Sequence, residues 1–121
     1  MVIIGGGYIG TEMAGIMASF GVQTTLLVRD LLLARVDQEI VDQLIENMKK
    51  HKIDVRLMAS TSKITKDPKS GLLTVHLDNG STLETESCLL ALGRLPNTSG
   101  MNLSEVGIEL EKNGAVKVDE F

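Results

Sequence analysis

A run of three glycines near the start of the chain, Gly5–Gly7, constrains the fold more than any other feature of the sequence. It follows a continuous apolar segment, residues 2–4, which is typical of a strand buried on both faces. From Tyr8 to Phe20 apolar residues recur at helical spacing, and Gly21 stands where a helix commonly ends. A second β-rich segment, Thr24–Val28, follows. This order predicts a parallel βαβ unit with a right-handed crossover.

The next segment predicts a second helix, which Asp37 caps at its amino end. Lys49 and Lys50 lie in the expected last turn, where the helix dipole favours positive charge. The apolar stripe of this helix consists of Ile40, Val41, Leu44, Ile45 and Met48. Alternating apolar residues around Val55 then predict a third strand.

Beyond this strand the apolar residues keep a spacing of two, which changes the expected connectivity. Alternation between Ile64 and Leu83, with an Asn79-Gly80 turn, predicts a three-stranded antiparallel β-meander. The apolar run Cys88–Leu92 predicts a return to the parallel sheet, and Ala115–Val118 a last short strand. We therefore expect an α/β fold in which a parallel sheet carries helices on one face and the meander on the other.

The glycine run also contains the pattern G-x-G-x-x-G, formed by Gly5, Gly7 and Gly10. In such a loop the first glycine permits the turn, the second lets a pyrophosphate approach the backbone, and the third brings the helix close to the sheet. The phosphates then lie on the free N–H groups of the helix start. The pattern alone is weak, but its place between a buried strand and a helix is the context that a dinucleotide site requires. The sequence thus predicts a Rossmann-like dinucleotide-binding domain.

Charged residues after the second predicted strand bear on which dinucleotide binds. An acid at this place accepts a hydrogen bond from the ribose 2′-hydroxyl of NAD, whereas arginines bind the 2′-phosphate of NADP. Here Arg29 is followed by Asp30, and Arg35 lies further along the same segment. Two guanidinium groups suit a dianionic phosphate and favour NADPH, while Asp30 argues for NADH.

Charge and composition argue against several other functions. A net charge of −4 is unlike a nucleic-acid-binding surface, which needs clustered Lys and Arg. The apolar stretches are too short for a membrane span and the first residues lack a signal-peptide pattern, so we expect a cytoplasmic protein, with a mitochondrial or plastid form left open. Cys88 is the one cysteine, which excludes an internal disulfide, and we expect it in the core. His51 and His76 lack the spacing of metal ligands.

Four segments, taken in order, resemble the glutathione reductases and the related thioredoxin reductases, which are pyridine nucleotide-disulfide oxidoreductases. These segments are residues 3–15 (IIGGGYIGTEMAG), Leu27–Arg29 with Arg35, residues 90–98 (LALGRLPNT) and residues 116–121 (VKVDEF). The resemblance spans essentially the whole chain. It departs from the family at Arg35, since only Val36 separates this arginine from Asp37, where the family usually has a longer segment.

The resemblance implies roles for individual residues. Tyr8 corresponds to a mobile aromatic lid that covers the nicotinamide pocket beside the flavin, and Ile9 and Glu12 lie near the nicotinamide. The two arginines hold the 2′-phosphate, and Gly93 passes close to the nicotinamide end of the cofactor.

The resemblance also implies domains that are absent from this chain: an FAD domain with a redox-active cysteine pair and an interface domain with a His–Glu pair. We therefore expect a single NADPH-binding domain, residues 1–121, whose loop-rich segment 93–121 leads back toward the FAD domain. The intact homodimeric enzyme would pass a hydride from NADPH to FAD, then to a protein disulfide and to glutathione disulfide or a related disulfide. The chain alone is expected to bind NADPH without turnover, and to hold no catalytic residue and no metal.

Three other interpretations stay open. The disulfide substrate could be that of a thioredoxin reductase. An NADH-using relative similar to dihydrolipoamide dehydrogenase is disfavoured. The resemblance to that group would imply a second strand that ends in an acid, and this chain has Val28-Arg29 there. A stand-alone, non-catalytic nucleotide-binding module is the third possibility.

Overall fold

The computed structural model describes residues 1–120, which form two α-helices, one 3₁₀ helix and two sheets. The elements, in chain order, are β1 (Val2–Ile4), α1 (Tyr8–Ser19), β2 (Thr25–Leu27), α2 (Gln38–Lys50), β3 (Asp54–Arg56), β4 (Thr61–Lys66), β5 (Leu73–Leu77), β6 (Thr82–Thr85) and β7 (Cys88–Leu90). The predicted order of strands and helices is therefore confirmed as far as residue 90, and β7 is two residues shorter than the apolar run that predicted it.

The parallel sheet has the strand order β3-β2-β1-β7. Ile3 in β1 is paired with Leu26 of β2 on one side and with Leu89 of β7 on the other. Because β1 lies inside the sheet and has a covered surface on each face, all its side chains are buried, as the continuous apolar run predicted.

The two faces of this sheet bury different partners. Ile3 belongs to a cluster on the helix side, together with Ala14 of α1 and Val41 of α2. The side chains on either side of it in β1 turn to the opposite face and pack against Val75 and Leu77 of β5. The predicted α/β arrangement, with helices on one face and the meander on the other, is confirmed.

The meander is antiparallel, with the order β4-β5-β6. Its second turn uses the predicted Asn79-Gly80 pair: the Asn79 side chain accepts a hydrogen bond from the Ser81 N–H at 3.0 Å, and Gly80 has φ +84°. This tight turn joins β5 to β6. β5 is the central strand of the meander, and its side chains pack against the parallel sheet.

Helix α2 begins as predicted, because the Asp37 side chain accepts a hydrogen bond from the Glu39 N–H at 2.9 Å. Val41, Ile45 and Met48 of the predicted stripe are buried, whereas Ile40 is 63% exposed. Within residues 1–120, no helix combines the length and the apolar character needed to cross a membrane.

Helix α1 packs by a different surface from the one its apolar residues suggest. Gly10 and Ala14 are its buried residues, whereas Ile16 is exposed and Phe20 is 77% exposed. A Cβ atom added to Gly10 would collide with the Gly5 carbonyl oxygen, so the helix lies too close to the preceding loop for larger side chains. The fully buried residues of α1 are therefore small, and Met13 packs beside them as a partly buried residue.

The prediction of a last strand at Ala115–Val118 is wrong. This segment forms only an isolated antiparallel bridge between Leu110 and Val116, and a 3₁₀ helix at Leu103–Val106 precedes it. Val118 is 81% exposed, so the alternating apolar residues of this segment do not form a face that is buried against the domain. Phe121, the end of the last family-like motif, lies outside the described residues.

Candidate functional site

The predicted site residues lie at the carboxyl edge of the parallel sheet. Gly5 directly follows β1, Arg29 follows β2 after one residue, and Gly93 lies three residues beyond β7. Since neighbouring parallel strands end at the same edge, the fold brings these three segments together. Open α/β sheets bind their ligands in the crevice at this edge.

The glycines of the loop differ in what surrounds them. Gly5 has φ +133°, and a Cβ atom there would collide with the carbonyl group of Ala91. Gly10 is blocked by the Gly5 carbonyl oxygen, as described above. A Cβ atom on Gly7, in contrast, would meet nothing within 4 Å. The first and third glycines are thus required by the packing of the protein, and the second leaves open space for a ligand.

The amino end of α1 is suited to an anion. Its N-cap residue is Gly7, which offers no side-chain hydrogen bond, and the first turn contains no acidic residue. The first N–H groups of a helix have no partner within the helix and carry the positive end of its dipole. Together with the open space at Gly7, this arrangement fits the pyrophosphate that the sequence pattern predicts.

Residues 29–36, which we call the arginine segment, form a backbone hydrogen bond with residues 5–7, which we call the glycine loop. The Leu33 N–H donates a hydrogen bond to the Gly6 carbonyl oxygen at 2.7 Å. A Cβ atom on Gly6 would lie 2.6 Å from Cγ1 of Val28 and 3.2 Å from the carbonyl oxygen of Leu31. Sequence reasoning missed this contact, because Gly6 occupies a variable position of the G-x-G-x-x-G pattern; its only signal is a third glycine in the run.

The charged side chains of the arginine segment point into solvent. Arg29 donates from Nε to Oδ2 of Asp30 at 3.0 Å, and the two side chains are 81% and 64% exposed. Arg35 is also exposed, on the same segment. The two candidate phosphate-binding arginines therefore lie on one short segment next to the glycine loop, and the carboxylate of Asp30 lies with them.

Three of the four residues with an implied role at the nicotinamide lie in the first turns of α1. Tyr8 is the first residue of α1 and is 60% exposed, Ile9 is half-buried, and Glu12 is exposed one turn later. Gly93 has φ +130° and is exposed beyond β7. The roles of all four residues stay predictions.

The remaining chemically reactive side chains lie apart from this edge. Cys88 is half-buried at the start of β7, and burial raises the pKa of its thiol, which disfavours the reactive thiolate. The ring of His51 contacts the Asn47 carbonyl at the end of α2, and His76 contacts Thr65 in the meander. Across residues 1–120, no group of three His, Cys, Asp or Glu side chains is arranged to hold a metal ion.

One solved structure that is similar to this chain is an engineered water-forming NADPH oxidase bound to NADPH. It has a TM-score of 0.79 at 26% identity, over 98% of this chain and 26% of that one. Among its five substitutions, two introduce arginines six positions apart; an aspartate is removed just before the first, and a serine is introduced just after it. The fifth replaces a glycine by alanine nineteen positions before the first arginine.

Two further comparisons concern disulfide reductases. A glutathione reductase from Burkholderia cepacia is 40% identical over 120 residues, which are 98% of this chain and 26% of that protein. The HOCl-induced flavoprotein disulfide reductase RclA from Escherichia coli has a TM-score of 0.84 at 33% identity, over 98% of this chain and 27% of that one.

This chain spans about a quarter of the length of these proteins. All of residues 1–121 match the family model described as pyridine nucleotide-disulphide oxidoreductase. The glycine loop at the carboxyl edge of the sheet, the sequence relatives and the structural neighbours agree, and the chain belongs to the pyridine nucleotide-disulphide oxidoreductase family.

Proposed function

We propose that this chain is the NADPH-binding domain of an FAD-dependent disulfide reductase. The observation that carries the proposal is the space at Gly7, which lies at the uncapped start of α1 and next to a segment with two exposed arginines. The helix start offers N–H donors to the pyrophosphate, and the arginines offer forked donors to a 2′-phosphate.

The engineered oxidase supports the preference for NADPH. Arg29 and Arg35 are six positions apart, the same spacing as the two arginines introduced into that protein. When positions are counted from the first arginine of each chain, Val28 corresponds to the position where the oxidase lost an aspartate, so neither chain has an acid directly before that arginine. Counted in the same way, this chain differs from the oxidase at three of the five substituted positions: Val28 and Gly10 stand where the oxidase has alanine, and Asp30 where it has serine.

In the intact enzyme, bound NADPH would supply the hydride that reaches FAD, a protein disulfide and finally glutathione disulfide or a related substrate. The residues of this chain would orient the cofactor: Gly7 admits the pyrophosphate, Tyr8 covers the nicotinamide pocket, and Ile9, Glu12 and Gly93 line its nicotinamide end. The FAD and interface domains, with the dimer contact, would lie in the three quarters of the relatives' length that this chain does not span. Isolated, the chain should bind NADPH without turnover.

The experiment that tests the proposal compares two fragments of the cofactor, 2′,5′-ADP and 5′-AMP, by isothermal titration. We expect the natural chain to bind 2′,5′-ADP about tenfold tighter, because a charge-assisted fork to phosphate contributes on the order of 1.5–3 kcal/mol and part of it is screened at an exposed site. Arg29→Ala should remove most of this difference.

Lys63→Ala is the matched control, since it removes the same charge from an exposed position on β4 and should leave the difference intact. Equal binding of the two fragments by the natural chain would contradict the NADPH preference. Equal binding is the result expected for a relative that uses NADH, or for a module that recognises only the pyrophosphate.

A further inference from the structure

Residues 33–36 form a tight turn that carries Arg35, and α2 begins two residues beyond it, at Gln38. We propose that Gln38 is a positioning residue for Arg35: its side-chain amide holds the backbone of this turn beside the glycine loop. This inference rests on the proposed function, in which Arg35 binds the 2′-phosphate. It adds a residue that acts on the nucleotide only through Arg35.

The turn is closed by its own backbone and anchored at its first residue. The Val36 N–H donates to the Leu33 carbonyl oxygen at 2.8 Å, so Ala34 and Arg35 occupy the two corner positions. The Leu33 N–H donates to the Gly6 carbonyl oxygen at 2.7 Å, and Leu33 has a left-handed backbone with φ +44°. A leucine rarely adopts this conformation, so the turn persists only where further contacts stabilise it.

The side-chain amide of Gln38 supplies two of these further contacts. Its Nε2 donates to the Val36 carbonyl oxygen at 2.8 Å and, over a longer distance of 3.4 Å, to the Leu33 carbonyl oxygen. An amide nitrogen carries two N–H donors, so this one side chain can join both ends of the turn. Gln38 is half-buried, which limits the competition of water for these bonds.

A fixed backbone at Arg35 matters because its side chain is exposed. An exposed arginine loses rotamer freedom when it binds a phosphate, and a mobile turn would lose backbone freedom in the same step. A turn that is already held at both ends avoids this second loss. Both bonds of the Gln38 amide lie within the arginine segment, so Gln38 should strengthen binding of the 2′-phosphate and leave binding at the glycine loop unchanged.

The start of α2 has a cap that is independent of the Gln38 side chain. Asp37 caps this helix by accepting a hydrogen bond from the Glu39 N–H at 2.9 Å, whereas the Gln38 amide donates to carbonyls that precede the helix. The arginine segment is also held in the core by the buried side chain of Leu32. Loss of the Gln38 amide should therefore change ligand binding while the fold stays intact.

The test measures the affinities of 2′,5′-ADP and 5′-AMP by isothermal titration at low salt. Gln38→Met keeps the length of the side chain and removes the amide, and we expect it to weaken 2′,5′-ADP binding about twofold to threefold without a change for 5′-AMP. Gln38→Asn keeps the amide but is one methylene group shorter, and should give a similar loss. Gln43→Met is the matched control, since it makes the same change at an exposed position of α2 and should leave both affinities unchanged.

A double-mutant cycle separates positioning from a merely structural role. If Gln38 acts through Arg35, then Gln38→Met should cause no further loss of 2′,5′-ADP affinity in a chain that already carries Arg35→Ala. In a chain that carries Arg29→Ala, the same substitution should cause its full loss. Thermal unfolding of each variant establishes that the comparison is made on folded protein.

Three results would overturn this inference while the proposed function stands, provided that Arg29→Ala still lowers the affinity for 2′,5′-ADP. The first is an unchanged 2′,5′-ADP affinity in both Gln38 variants, or in Arg35→Ala. The second is an equal loss for 2′,5′-ADP and 5′-AMP. The third is a Gln38→Met loss that persists in full in the Arg35→Ala chain. A natural chain that binds the two fragments equally contradicts the NADPH preference and this inference together.

Discussion

The glycine loop, residues 5–7, and the arginine segment, residues 29–36, lie side by side but are held by different interactions. The glycine loop is packed backbone to backbone: the Gly5 N–H donates to the Leu27 carbonyl oxygen at 2.9 Å, and the Ala91 carbonyl lies where a side chain would begin. The arginine segment is anchored through Leu33, while the guanidinium group of Arg29 is exposed to solvent.

This difference separates two properties of the site. The backbone contacts at Gly5 leave no room for a methyl group, so a substitution at that residue disturbs the packing of the domain. The charges of the arginine segment can change without loss of packing, because the side chains lie outside the core. Under the proposed function, binding of the pyrophosphate would depend on the rigid loop, and discrimination between NADPH and NADH would depend on charges at the surface.

The comparison is tested most severely at Gly5. We expect Gly5→Ala to lower the free energy of unfolding by about 3 kcal/mol, because the new methyl group collides with the Ala91 carbonyl and φ +133° is strained for alanine. Urea denaturation followed by circular dichroism measures this change. A loss below about 1 kcal/mol would mean that the loop can relax and is not rigidly packed.

Gly7→Ala should separate binding from folding. The methyl group enters open space, so stability should change by less than about 1 kcal/mol, yet it occupies the place that the pyrophosphate approaches. We expect the affinity for NADPH, measured by its fluorescence, to fall about tenfold, which corresponds to about 1.4 kcal/mol. Gly15→Ala is the control: it also adds a methyl group in open space, but within α1, and should leave NADPH affinity unchanged.

The smallest effect is expected at the far end of the arginine segment. Arg35→Ala should weaken 2′,5′-ADP binding about threefold at low salt and less at high salt, because an exposed guanidinium group acts mainly through screened charge. Isothermal titration with 2′,5′-ADP, as used for Arg29→Ala, measures this loss of affinity. A loss larger than that of Arg29→Ala would reverse the roles of the two arginines, and no loss would remove Arg35 from the site.

Local patterns predicted most of the fold. The buried run before Gly5, the cap at Asp37 and the Asn79-Gly80 turn each depend on interactions within a few residues, and all three are confirmed. The pattern at Ala115–Val118 failed because alternation describes a strand only where a core covers one face, and Val118 remains exposed.

Only part of the candidate site could be predicted from the sequence. Gly5, Gly7 and Gly10 could be found in the sequence because the spacing of the pattern follows from the turn it must make. The contact of Gly6 with the arginine segment was not predictable, since it joins residues that are adjacent only after β1 and β2 pair. The ion pair of Arg29 with Asp30 likewise depends on side-chain rotamers that the sequence does not specify.

The sequence by itself determined the order of the elements and the place of the glycine loop, because the backbone preferences of glycine and the periodicity of apolar residues act over short distances. Only the tertiary structure decided that Gly5 and Gly10 are required by packing while Gly7 remains open, and that the small residues Gly10 and Ala14 are the fully buried residues of α1. These properties depend on how closely two backbones approach, which is determined by packing across the whole sheet.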